Sequence, residues 1–212
     1  NVLFHSFVID VNKSENKIFD ITVANKSGKQ RFGAKSFIDC TGDADVAALA
    51  GCEFVLGRES DNMCQPMTSC FRIVNVDENK LPHKDVTKLR RVVNTKYNKL
   101  QEEGKIKNPR ESLLIYKYLS QGVFHFNATR VVNKNPLNTF HLSAAEKEVR
   151  EQIYEIHVFL KKNISGFENS MLIMTAPEIG VRESRKIIGE YVLTEEDLLN
   201  CTKFSDSIAC GA

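Results

Sequence analysis

Thr41, Gly42 and Asp43 carry the most chemical promise in this chain, because the apolar stretch Ala34 to Cys40 runs into them and the small residues Val46 to Ala50 follow. Phe37 and Ile38 extend a strand, and Gly42 lets the backbone bend or approach a ligand closely. Asp43 to Asp45 stand where they cap a helix over 46–50, and Gly51 stops it. Such a turn aims backbone N–H groups and a helix N-terminus at one point, where a phosphate or a ribose binds. An ordinary capped turn has the same pattern, and both readings stand at this level.

Other reactive residue types lack the spacing their chemistry needs. Cys40, Cys52, Cys64, Cys70, Cys201 and Cys210 contain no C-x-x-C pair and no close histidine, so free buried thiols are expected. His5, His83, His125, His141 and His157 lack H-E-x-x-H spacing and read as structural, so no metal site is expected. The run Gly28 to Ser36 is one residue from a phosphate-binding loop, but Ala34 separates Gly33 from Lys35 and a strand follows. No G-x-S-x-G elbow supplies a serine nucleophile.

The elements that must position the turn are legible in the apolar periodicity. Residues 2–10, 16–24 and 30–40 read as a three-stranded antiparallel meander, with 36–40 a central strand covered on both faces. A strand follows over 69–76, and Val86, Leu89, Val93, Tyr97 and Leu100 predict a helix over 83–103 that Gly104 ends. Strands are expected at 112–119 and 122–132. A second helix is expected from Ser143, with Ser143 and Glu146 as a capping box and Val149, Ile153, Ile156 and Leu160 as its apolar seam. A short helix starts at Thr194, where Glu195, Glu196 and Asp197 favour the first turn.

Two families share the Thr-Gly-Asp string. Haloacid-dehalogenase-like phosphatases also need an early Asp-x-Asp pair, which the first strand, NVLFHSFVIDV, lacks. The blocks GRESDNMCQPMTSCFRI (57–73), FHFNATRVV (124–132), AEKEVREQIYEIHVFLKKNISGFENS (145–170) and TAPEIGVRESRKIIGEYVLTEEDLL (175–199) resemble successive parts of the FAD-dependent oxidoreductases, related in fold to glutathione-reductase-type flavoproteins. The resemblance covers nearly the whole chain. It implies an α+β fold: an antiparallel β-meander plus a mixed sheet with packed helices. Residues 1–51 would belong to the FAD-binding domain, 52–174 to a substrate-side domain, and 175–212 to a return into the first.

Flavin-mediated electron or hydride transfer on a small-molecule substrate is the activity so implied, with FAD as cofactor. Thr41, Gly42 and Asp43 are carried over as FAD-proximal positions acting through the main chain. The backbone of the first meander strand, at Phe7 or Val8, would lie against the adenine. Arg182 and Arg185, near Gly180, would stabilise a reduced anionic flavin or grip an acidic substrate, in one cavity with the Thr41 to Asp43 turn. A salt bridge to Glu178, Glu183 or Glu190 is their alternative. Phe126, Asn127, Thr129 and Arg130 fall on the substrate side, where alternation puts Asn127 and Thr129 on one face. Arg130 is the charged candidate there, with pairing to Glu146 or another acid as its alternative. No protein nucleophile is required, because the flavin performs the electron chemistry.

Composition narrows the partners. The chain has 212 residues, 42% of them hydrophobic, and a net charge of +2 without a basic stripe, so nucleic acid is not an expected partner. No apolar run has membrane-spanning length and no signal-peptide pattern opens the chain, so a cytoplasmic protein is expected, with a homo-oligomer left open. Two other function classes remain: a haloacid-dehalogenase-like phosphatase using Asp43 for Mg²⁺, and a non-enzymatic β-rich binding module.

One departure from the resembled family bears on the cofactor. Its members open with a strand, G-x-G-x-x-G and a helix that hold the FAD pyrophosphate, with a ribose-binding acid about 20 residues on. This sequence contains neither, and the chain reads as an internal segment of a longer protein. The purified 212-residue chain is therefore expected to be folded, colourless and without turnover. Flavin absorbance retained through gel filtration at one cofactor per chain would contradict that expectation.

Overall fold

The computed structural model describes residues 2–208, so Cys210 lies outside the described residues. The chain forms two compact units, one of residues 1–55 with 185–212 and the other of 56–184.

In the first unit, β1 (Phe7–Ser14), β2 (Lys17–Asn25) and β3 (Gly28–Gly33) make the antiparallel meander, in the order β1-β2-β3. Asn25 accepts the Ser27 N–H through its side chain, and Gly28 takes φ +95°, a conformation that suits glycine at the end of so tight a turn. A register shift between Val8 and Asp10 breaks the strand's two-residue period. As a result both Val8 and Val11 pack with Ile18 and Ile21 against Val46 and Ala50 of the following short helix. That helix, α1, spans Asp45–Leu49. Residues 36–40 belong to no strand or helix among the described residues, and Ile38 is exposed. The expected central strand is thus absent, because Asp39 in its middle is turned toward α1. A two-stranded pair of β4 (Phe54–Leu56) and β9 (Arg185–Ile187), with α4 (Glu195–Leu199), completes the order. Helix α4 has the expected cap: Thr194 and Asp197 form a full capping box.

The second unit is built on a four-stranded sheet, β6 (Leu114–Lys117), β7 (Phe124–Asn127), β5 (Phe71–Val74) and β8 (Met171–Thr175), in that spatial order. The α+β class holds, and all three pairings of this sheet are antiparallel rather than mixed. One face is dry. Phe71, Ile73, Ile115, Phe124 and Phe126 are buried there against Leu89, Val93 and Tyr97 of α2 (Val86–Glu102) and Ile153, Ile156, Phe159 and Leu160 of α3 (Thr139–Asn163). Phe71 and Phe126, paired across β5 and β7, stack with centroids 4.9 Å apart.

Helix α2 follows its sequence signals, with Asp85 accepting the Lys88 N–H as N-cap and Gly104 at φ +70° just beyond the end. Helix α3 begins a turn earlier than Ser143. Asn138 accepts the Phe140 and His141 N–H groups, so Ser143 lies inside the helix. Glu146 is not a cap residue: its carboxylate accepts the Ile179 N–H and pairs with Arg150. The seam of Val149, Ile153, Ile156 and Leu160 is buried as the spacing predicts.

The thiols depart from expectation. Cys40, Cys52 and Cys201 are exposed and Cys64 and Cys70 half-buried, all without disulfides. Ile153→Ala empties a fully buried position between α3 and the sheet and is expected to cost about 2–5 kcal/mol. Urea unfolding checks it, with Tyr154→Ala on the exposed side of the same helix expected to leave the midpoint nearly unchanged.

Candidate functional site

Two places gather polar side chains, one in each unit. In the first, the turn before α1 is closed by Asp39. Its carboxylate accepts the Thr41 N–H and hydroxyl through Oδ1, at 2.9 and 2.7 Å, and the Ala47 N–H through Oδ2 at 2.9 Å. The Thr41 hydroxyl in turn accepts the Asp45 N–H at 2.7 Å. Ala44, the N-cap, is left-handed at φ 54° and makes no side-chain cap bond. The helix is therefore capped from a distance by Asp39 and Thr41, not by Asp43 to Asp45. Two of its N-terminal donors are spent on protein oxygens, which favours the capped-turn reading of α1 over a phosphate cradle. Gly42 keeps open space where a Cβ would stand.

Arg185 joins this turn. Its Nη1 donates to the Asp43 carbonyl at 2.7 Å and to Asp45 Oδ1 at 2.8 Å, and its guanidinium lies over the Phe54 ring at 5.5 Å. The acid it pairs with is Asp45 rather than Glu178, Glu183 or Glu190. With four-fifths of its side chain covered and Nε buried without a partner, it fixes the turn in place. Val8 is half-buried under α1 and Phe7 is exposed on the meander.

Arg182 falls in the second unit and is exposed. The sequence blocks around it are stitched together there. Met67 and Val131 exchange both backbone bonds at 2.9 Å, as do Thr68 and Gly180 at 3.2 and 2.7 Å. A Cβ on Gly180 would come within 3.0 Å of the Thr68 carbonyl, so this approach favours glycine. Glu183 accepts the Gln65 N–H, and with Arg58, Cys64, Pro66 and Asn133 these two line a cavity of about 300 Å³.

Among the expected substrate-side residues, Phe126 belongs to the dry core. Thr129 lies beyond the end of β7 and is wholly buried, its hydroxyl bonded both ways to the Ser69 backbone. Arg130 is pinned by the Gln152 amide, which bonds its backbone N–H and carbonyl at 2.8 Å each. Its guanidinium approaches Glu111, not Glu146, at 3.7 Å.

The second gathering is the sheet face opposite the helices. Arg72 pairs with His125, His125 with Tyr116, and Arg72 with Met174, so these side chains form one row. Asn127 stands on the same face, two residues beyond His125. Tyr118 lies under the Arg72 guanidinium at 4.4 Å, and Arg90 lies over Tyr116 at 5.1 Å. Four atoms of these side chains are screened from solvent without a hydrogen-bond partner: Arg72 Nε, Arg90 Nε, His125 Nδ1 and Asn127 Oδ1. Burial, and then the Arg72 charge, push the His125 pKa below the ordinary imidazole value, leaving a neutral ring at neutral pH. Arg72 goes unmarked in the sequence and His125 reads there as a structural histidine, although the alternation Phe71-Arg72-Ile73 and Phe124-His125-Phe126-Asn127 carries the signal.

Among the described residues no group of three or more His, Cys, Asp or Glu side chains could hold a metal ion, and no helix is long and apolar enough to cross a membrane.

Asp39→Asn weakens the α1 cap and is expected to cost about 1 kcal/mol. Burial alone would raise the Asp39 pKa, but the hydrogen bonds from Thr41, Ala47 and Val46 outweigh it and hold it below 3.8. The cap's contribution is accordingly present above that value and lost as the pH falls through the lower folded pKa. Chemical unfolding of both proteins at pH 7 and near pH 2 checks this, and the gap between them should close at the acid pH.

The model of the family described as FAD dependent oxidoreductase matches residues 1–212. No curated protein and no solved structure matches the chain.

Proposed function

The chain belongs to the FAD dependent oxidoreductase family, and we propose that it contributes to flavin-mediated electron or hydride transfer on a small-molecule substrate. The match over the whole chain carries this reading. Bound FAD supplies the electron chemistry, and the protein supplies orientation and electrostatics.

Within the first unit, the main chain of Thr41, Gly42 and Asp43 would meet the cofactor on the open side of Gly42, with the Val8 backbone a further contact. The residues present fit contact of that kind. They do not fit a pyrophosphate seated on α1, whose Asp45 and Ala47 N–H groups already serve Thr41 and Asp39. Arg185 holds the turn through the Asp43 carbonyl and so acts as a positioning residue. Arg182 and Arg130 remain candidates for charge at the reaction, and the second unit is the substrate side in this reading. A cytoplasmic setting and a homo-oligomer belong to the same proposal.

The protein purified from its natural source is expected to be yellow and to release FAD on denaturation. A flavin-free preparation with Mg²⁺-dependent phosphatase activity would overturn the reading and favour the haloacid-dehalogenase-like alternative.

A further inference from the structure

The open sheet face of the second unit holds an unusual set of unmet hydrogen-bonding groups. Arg72 has no carboxylate within ion-pair distance among the described residues, and the Tyr118 ring beneath it leaves the edges of the guanidinium plane to make hydrogen bonds. His125 stands opposite it on the neighbouring strand and Asn127 two residues further along. Screened polar atoms without a partner are costly, and those of Arg72, His125 and Asn127 on one face define what a partner must bring. Arg72 asks for a planar anion. The Asn127 oxygen asks for a donor, and the neutral His125 ring can meet the same donor.

We infer that this face binds a small carboxylate that also carries a hydroxyl or amino group, with Arg72 holding the carboxylate and Asn127 and His125 receiving the donor. The inference rests on the second unit being the substrate side, and names the class of molecule that side accepts. Tyr116 and Tyr118, each 40% or more exposed, form the rim at which such a molecule enters.

The test uses the whole 212-residue chain without flavin, labelled for NMR at histidine and arginine, with glycolate as probe. Glycolate is expected to shift the His125 ring and Arg72 Nε–H signals saturably. Methyl glycolate, which lacks the charge, should bind at least about tenfold more weakly, and acetate, which lacks the hydroxyl, about threefold or more. Arg72→Gln should weaken glycolate by at least about tenfold, and Arg72→Lys, which keeps the charge but not the fork, by less. Should Arg72→Gln fail to fold, Arg72→Lys and His125→Gln carry the comparison, each binding glycolate more weakly than the parent chain. Equal binding of glycolate and methyl glycolate, binding unchanged in every folded variant, or no saturable shift would overturn the inference. Any of these leaves the flavin reading standing, because that reading is decided by the FAD content of the natural protein.

Discussion

The stack of Phe71 on Phe126 is the contact from which the second unit's chemistry follows. A strand's side chains alternate between two faces, so once these two rings are buried together the neighbouring Arg72 and His125 must point the other way. A slip of one residue would bury a guanidinium and an imidazole among Leu89, Val93, Ile153 and Ile156, and expose two phenylalanines. The core under α2 and α3 therefore stabilises the unit and also sets which polar groups share the open face. Stability and site have one origin here, the parity of two short strands.

The first unit depends on a different device. Asp39 reaches across the turn to hold both Thr41 and the Ala47 N–H, and Arg185 ties the Asp43 carbonyl from a strand 140 residues away in sequence from Asp45. Between them they fix a backbone in which Ala44, a residue with a Cβ, sits at φ 54°. The arrangement spends N-terminal donors of α1 on protein groups and leaves the glycine side of the turn open. Main-chain contact with FAD at this turn, as proposed, needs the second feature more than the first.

How much of this was legible in the sequence depended on the range of the interaction. Helices α2 and α4 were readable because the apolar spacing of Val86 to Leu100 and the stop at Gly104, and the caps Thr194 and Asp197, act within the helix they define or a turn of it. The strand expected over 36–40 was not found among the described residues, since Ser36 and Asp39 interrupt its apolar run and Asp39 bonds eight residues ahead, a spacing no capping pattern contains. Ser143 and Glu146 had the letters of a capping box, yet Asn138 caps α3 five residues before Ser143 and Glu146 serves Ile179 instead. The row of Arg72 and His125 needed the register of two strands some fifty residues apart, which alternation within each strand suggests but does not determine. The family resemblance, by contrast, lay in long contiguous blocks, and the family match spans all of them.

The account's central claim is that Arg72 and His125 face each other on one partly screened side of the sheet. The most direct measurement is the NMR titration of the His125 ring in the folded chain and in Arg72→Gln. The account predicts a pKa below 6.5 in the parent, held down by burial and then by the neighbouring charge, and an upward move in the variant as that charge is removed. A His125 that titrates at or above 6.5 and does not respond to the substitution would contradict it.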